Sequence, residues 1–140
     1  TFSTLSPIPG FRRWLTSTPT EFRPDFVGDD EFSALSSSGT LDDADKRSEM
    51  KKLITKLCAT YLTSTNSRNL PLDPVARFHL GNGASVERIN WDGDLSDKGI
   101  SQSAGLMVNY LYAPDQIVGN HEAFVNEGKI ATSSKVRGLL

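Results

Sequence analysis

Two histidines, one cysteine and a serine at the end of an apparent strand are the side chains of this 140-residue chain with the most chemistry to offer. His79 stands between Phe78 and Leu80, near the end of a short helical stretch and just before Gly81-Asn82-Gly83. Glycines there let another backbone or a ligand approach, and an imidazole titrates near neutral pH, so it can give or take a proton. The local pattern alone reads first as a buried histidine satisfied by one hydrogen bond, with catalysis as the second reading. Ser6 follows a strand-like run and precedes Pro7. Strand ends are where loops hold functional groups above a sheet, but Ser-Pro also simply initiates turns. No Gly-x-Ser-x-Gly elbow occurs, and no acid stands out as a triad partner among the 17 carboxylates. His121, between Asn120 and Glu122, reads as surface.

Other chemistries find less support. Cys58, His79 and His121 are widely spread, with no His-x-x-x-His or Cys-x-x-Cys, so no metal site is expected. Gly81-Asn82-Gly83 stands before the strand near Val86, whereas a dinucleotide fingerprint stands between strand and helix. Asp92-Gly93-Asp94 opens like a calcium loop but lacks the remaining ligands, and reads as a turn. Trp91, Tyr110 and Tyr112 read as core or cleft walls.

The elements that must position these residues follow from periodicity and caps. Thr1-Phe2-Ser3-Thr4-Leu5 alternates like a half-buried strand and stops at Pro7; a helical turn is expected around Gly10–Leu15. Residues 16–45 are rich in Asp and Ser, with Ser36-Ser37-Ser38-Gly39 among them, and predict a flexible acidic insertion with one helical turn near Glu31–Leu35. Asp42 or Asp43 caps a single helix whose stripe Met50, Leu53, Ile54, Leu57, Cys58, Tyr61 and Leu62 repeats every three and four residues. Asp73-Pro74 is an N-cap followed by proline at the first helical position, opening a short helix through His79. Ser85–Trp91 reads as a strand, Ser96-Asp97 starts a small-residue helix, and Leu106–Tyr112 is a β-prone run ended by Pro114. Residues 115–140 are expected as a loosely ordered tail with one helix around His121–Asn126. Helices and strands alternate, giving an α+β or α/β domain with a mixed sheet and flanking helices.

Composition narrows the function classes. Hydrophobic residues are 37% of the chain, net charge is −2 and mean hydropathy is −0.34, the profile of an ordinary globular domain. No apolar run approaches the ~20 residues of a membrane span. Residues 1–45 carry eight acids and three bases, and residues 46–140 nine acids and twelve bases. That surplus is far from the basic stripe nucleic acid requires, so nucleic acid is not an expected partner. Lys46, Arg47, Lys51, Lys52 and Lys56 read as a solvated helix face. A lone cysteine excludes an internal disulfide and suits a reducing, intracellular compartment. The first residue is Thr1, with no charged leader, so the chain is expected to be the C-terminal part of something longer.

Three stretches, taken together in order and spacing, are specific. They are Phe2-Ser3-Thr4-Leu5-Ser6-Pro7-Ile8-Pro9-Gly10-Phe11, then Leu72-Asp73-Pro74-Val75-Ala76-Arg77-Phe78-His79-Leu80-Gly81-Asn82-Gly83-Ala84, then Arg88-Ile89-Asn90-Trp91 with Gly105-Leu106-Met107-Val108-Asn109-Tyr110-Leu111-Tyr112. They resemble malonyl-CoA decarboxylase, over Thr1 to Tyr112, fading in residues 16–45 and after Pro114. The resemblance implies that residues 1–140 are the C-terminal part of a catalytic domain of the GNAT acyltransferase type, a partial GNAT-like fold whose first strands precede Thr1. It matches the family's active-site serine to Ser6 in Ser-Pro-Ile-Pro and its active-site histidine to His79 in Phe-His-Leu-x-Asn-Gly. Tyr112 in Asn-Tyr-x-Tyr, and Asn82, are implied to line the substrate.

The implied reaction is release of CO2 from malonyl-CoA to give acetyl-CoA. It needs no cofactor, because the thioester carbonyl is itself the electron sink. The resemblance further implies a homo-oligomeric parent in mitochondria, peroxisomes or cytosol, and much of the CoA grip upstream of Thr1, leaving the isolated fragment inactive. Two alternatives stand beside it: CoA-dependent acyl transfer, and a truncated, non-catalytic interaction fragment with an exposed sheet edge.

Overall fold

Residues 1–36 and 39–140 are described by a computed structural model. Ser37 and Ser38, part of the serine run above, lie outside them. Three strands, β1 (Phe2–Ser6), β2 (Ser85–Asn90) and β3 (Met107–Tyr112), form one sheet in the order β1-β3-β2. Both pairings are antiparallel. The expected mixed sheet is therefore corrected: among the described residues, parallel pairing is confined to the single bridge between Val86 and Thr132. The helix between β2 and β3, Asp97–Ser103, explains this. Its length is about 10 Å, whereas a parallel crossover must travel back along a strand of about 20 Å.

Eight α-helices surround the sheet among the described residues: α1 (Phe11–Ser17), α2 (Asp29–Ser36), α3 (Ala44–Glu49), α4 (Lys51–Leu62), α5 (Pro74–Gly81), α6 (Asp97–Ser103), α7 (Ile117–Glu127) and α8 (Ser134–Arg137). The apolar stripe of α4 puts Ile54, Leu57, Cys58, Ala59, Tyr61 and Leu62 in the core. Helices α4 and α5 pack on β2, α1 packs on α2, α4 and α6, and α7 packs on α5. The single helix expected from Asp42 or Asp43 is two helices. Asp43 caps α3, accepting from the amides of Asp45 and Lys46, and the chain re-aims at Met50 (φ −104°, ψ 13°), which ends α3 and starts α4. Of the basic residues expected on its solvated face, Arg47 departs: it is buried, donates to the Leu41 carbonyl at 3.2 Å and faces Asp92 at 3.6 Å.

Residues 16–45 carry the end of α1, a 3₁₀ turn at Thr20–Phe22, and α2. They bury Val27, Phe32, Leu35 and Leu41, while Arg12 of α1 pairs with Asp42 at 2.7 Å and donates to the Ile100 carbonyl of α6 at 3.0 Å. Residues 115–140 hold α7 and α8. The backbone between them exchanges bonds with Val86 of β2, whose N–H donates to Ala131 and whose carbonyl accepts from Ser133.

Candidate functional site

Strand β1 sends Phe2, Thr4 and Ser6 to one face of the sheet, by its period of two. Opposite them in register on β3 stand Tyr112, Tyr110 and Val108. Helix α5 lies against this face because Asp73 and Pro74 begin it there: Asp73 Oδ2 accepts from the amides of Val75 and Ala76, both at 3.0 Å. Ala76 and Leu80 are buried, so His79, three residues beyond Ala76, falls at the margin of the buried face while Phe78 points to solvent. The turn after α5 is fixed as well. Gly83 has φ +87°, and a Cβ there would meet the Ile117 carbonyl oxygen at 2.5 Å. Asn120 donates to the Gly83 carbonyl at 3.1 Å and His121 Nδ1 donates to the Gly81 carbonyl at 2.7 Å. His121 is thus exposed, as its setting suggests, yet it tethers α7 to the end of the His79 helix.

The result is a line of polar groups on one face of the sheet. Ser6 and His79, 73 residues apart in the chain, meet with Oγ to Nε2 at 3.3 Å. The other ring nitrogen, Nδ1, lies 2.6 Å from the Tyr112 hydroxyl. The Thr4 hydroxyl lies 3.0 Å from that of Ser6. Beneath the imidazole, Tyr110 stacks at 4.4 Å between centroids and 21° between planes; Phe2 stacks on Tyr112 at 4.7 Å. Asn82, exposed at the end of α5, brings its side chain near the Tyr112 hydroxyl. All four residues singled out from sequence, Ser6, His79, Tyr112 and Asn82, are therefore brought together. Thr4 carries no chemical signal of its own in the sequence, although its spacing of two from Ser6 on an alternating strand places it on the same face. From sequence, Asp73 reads only as a cap.

Burial sets the protonation states. It lowers the pKa of His79 below the ordinary imidazole value and raises that of Tyr112, which the nearby Asn82 side chain partly offsets. At neutral pH the imidazole is neutral and the phenol retains its proton. The protonated phenol can donate to Nδ1 of His79, 2.6 Å away. The imidazole then carries its proton on Nε2, facing Ser6. Cys58 is fully buried and burial pushes its thiol far up, so it is no nucleophile.

The Tyr110 hydroxyl is buried with no hydrogen-bond partner among the described residues. Its ring supports His79, but its oxygen only adds a desolvation cost of about 1–3 kcal/mol. Tyr110→Phe is expected to leave stability unchanged or to raise it by about 1 kcal/mol. Denaturant unfolding of the variant checks this, and a marked destabilisation would reveal a partner for that oxygen.

Comparison with known proteins bears on what this line of groups is for. A family model described as the malonyl-CoA decarboxylase C-terminal domain matches residues 1–140. The chain belongs to the malonyl-CoA decarboxylase family. It is 36% identical over 157 residues to the mitochondrial malonyl-CoA decarboxylase of Anser anser anser, covering 96% of this chain and 31% of that protein. To the mitochondrial enzyme of Rattus norvegicus it is 34% identical over 160 residues, covering 99% of this chain and 32% of that one. Among solved structures, malonyl-CoA decarboxylase from Rhodopseudomonas palustris matches with a TM-score of 0.85 and 45% identity, over 100% of this chain and 33% of that one. The decarboxylase from Agrobacterium vitis matches with a TM-score of 0.84 and 41% identity, over 99% and 35%. The chain thus spans about a third of the length of these malonyl-CoA decarboxylases, and no described helix is long and apolar enough to cross a membrane.

Proposed function

We propose that the protein containing this chain releases CO2 from malonyl-CoA, and that Ser6, His79 and Tyr112 of this chain carry the reaction. The observation that supports this reading most is the hydrogen-bonded line Ser6–His79–Tyr112 on one face of the sheet, in a member of this family. We propose further that the sheet is the C-terminal part of a GNAT-like fold, with its first strands and much of the CoA grip upstream of Thr1. The isolated chain is then inactive, and the parent is an intracellular homo-oligomer.

Decarboxylation breaks the bond between the carboxylate carbon and the methylene carbon. The bonding pair passes into the thioester, leaving an enolate whose oxygen carries the charge. A donor already in place, either the Ser6 hydroxyl or Nε2–H of His79, stabilises that oxygen and lowers the barrier by several kcal/mol. The methylene carbon then takes a proton. In this reading Ser6 O–H gives it, His79 Nε2–H replaces it on Ser6, and the Tyr112 O–H replaces that one at Nδ1. Tyr112 is partly exposed and is reprotonated by solvent. The sum is malonyl-CoA plus one proton giving acetyl-CoA and CO2, and no cofactor enters it.

The test is release of CO2 and acetyl-CoA from malonyl-CoA by the intact protein, with this 140-residue chain alongside. Turnover by the former supports the reading; acylation of an acceptor without CO2 release would replace it with acyl transfer. The same assay carries a pH prediction. Protonated His79 cannot accept from Tyr112 at Nδ1, and burial disfavours that protonated form. The acid limb of kcat/KM is therefore expected below the ordinary imidazole value of about 6.5. Stability follows the same sign. As pH falls below about 6.5 the unfolded chain takes up the proton first, so the His79 contribution is complete above that pH and is lost as pH drops through the folded value. An acid limb above pH ~7 would mean His79 acts as an imidazolium, contrary to this mechanism.

A further inference from the structure

The distance between Ser6 and His79 depends on two rigid pieces meeting at the right offset, and one buried carboxylate joins them. Asp73 is 1% exposed. Its Oδ2 caps α5, as described; its Oδ1 faces the other way, accepting from the Gly10 amide at 3.4 Å and from the Tyr61 hydroxyl of α4 at 3.1 Å. Gly10 closes the Ser6-Pro7-Ile8-Pro9-Gly10 segment, whose two prolines fix their own φ and whose Ile8 is fully buried. Ser6 thus stands at one end of a stiff segment and the Asp73 contact at the other. On the second arm, α5 runs without interruption from the Asp73 cap to His79.

Local stability does not require this arrangement. Serine or asparagine caps a helix as well as aspartate does. A carboxylate buried without a cation is costly, and no cationic side chain pairs with Asp73 among the described residues. Burial accordingly raises its pKa, with the Ala76, Tyr61, Gly10 and Val75 donors opposing the shift. The glycine is part of the same fitting: a Cβ on residue 10 would lie closer than van der Waals contact to the Tyr61 hydroxyl oxygen. Only a residue without a side chain lets that hydroxyl reach across to Oδ1.

We propose that Asp73 is a positioning residue: through Oδ1 it clamps the loop after β1 to the helix that carries His79 and so sets the Ser6–His79 separation. This rests on the reading of Ser6 and His79 as the reacting pair. Asp73 touches neither, and acts through the chain on both sides.

Asp73→Asn and Asp73→Ser separate the clamp from the cap. Each keeps an oxygen for the Val75 and Ala76 amides. Asparagine turns an NH2 toward the Gly10 N–H, and serine does not reach it. Tyr61→Phe removes one arm of the clamp and leaves the cap untouched, which keeps a test available if a substitution at 73 unfolds the protein. In the intact protein the folded variants are expected to lose roughly 10- to 100-fold in kcat, as misplacement of reacting groups by about 1 Å does, with KM for malonyl-CoA within about threefold of wild type. The pH titration of the His79 ring nitrogens, followed by NMR, is expected to move toward the ordinary imidazole value as α5 shifts from the sheet and the ring loses burial. A purely capping Asp73 predicts the reverse: asparagine and serine restore kcat and leave the His79 titration unchanged, and that result overturns the proposal. The titration decides the matter even if the intact protein does not decarboxylate malonyl-CoA, so failure of the clamp and failure of the functional reading are told apart.

Discussion

His79→Ala in the intact protein is expected to cut kcat for CO2 release by roughly 10³- to 10⁴-fold, the upper range for removal of a group that moves a proton. The imidazole links Ser6 to Tyr112, touching the first through Nε2 and the second through Nδ1. Its loss separates the Ser6 hydroxyl from the partly exposed Tyr112 phenol. No neighbour takes over: His121, the second histidine, is occupied with the Gly81 carbonyl on the far side of the turn. Stability is affected much less, because the ring is only partly buried and α5 keeps its Asp73 cap and its buried Ala76 and Leu80. His79→Gln refines the test. A glutamine amide can place a donor near the position of Nε2 but cannot pass a proton on to Tyr112. It is therefore expected to recover part of the electrostatic contribution, about tenfold over alanine, and none of the relay. Stopped assays of acetyl-CoA formation with both variants, alongside thermal unfolding to verify folding, measure these losses. A folded His79→Ala variant within tenfold of wild type would remove His79 from the chemistry.

How much of this could be read from the sequence differs from residue to residue, for physical reasons. Asp73-Pro74 announces α5 because cap and proline act locally, within one turn, and β3 is legible because Met107–Tyr112 is β-prone and bounded by Pro114. The break at Met50 leaves no such mark, since neither proline nor glycine stands there and the stretch from Ala44 to Leu62 holds residues that all tolerate a helix. The acidic stretch 16–45 reads as insertion because averaging over its aspartates hides Val27, Phe32, Leu35 and Leu41, four widely spaced side chains that are nonetheless buried. Arg47 reads as solvated for a related reason: a charge among lysines looks exposed until the Leu41 carbonyl six residues back and the carboxylate of distant Asp92 are found around it. The meeting of Ser6 with His79 is a tertiary contact, and only the resemblance to a family pointed to both. The second oxygen of Asp73 was invisible for the same reason. A cap is a local inference, whereas a bond to Gly10, 63 residues away, is a property of the fold.

Ser6→Ala gives the second large effect, and its value lies in how it combines with the first. Ser6 is 5% exposed, with its hydroxyl between the Thr4 hydroxyl and His79 Nε2. Alanine fits the same space, and the groups left behind can turn to each other or to solvent, so stability should change by no more than about 1 kcal/mol. Turnover should not be spared: loss of a preorganised donor costs roughly 10²- to 10³-fold in kcat. If Ser6 and His79 form one proton path, removing either breaks it. The double variant Ser6→Ala/His79→Ala should then be hardly slower than His79→Ala alone, a coupling of several kcal/mol in the cycle, where independent groups would multiply their losses. Thr4→Val provides the control on direction. Thr4 joins the hydrogen-bonded series at Ser6, so its hydroxyl can orient Ser6 but carries no proton of the path, and its removal should cost only about tenfold or less. Single-turnover rates for the four members of the cycle decide between the two cases. Multiplicative losses would show that serine and histidine serve separate steps, the one holding the enolate oxygen and the other delivering the proton by itself, and would break the relay while leaving the decarboxylation in place.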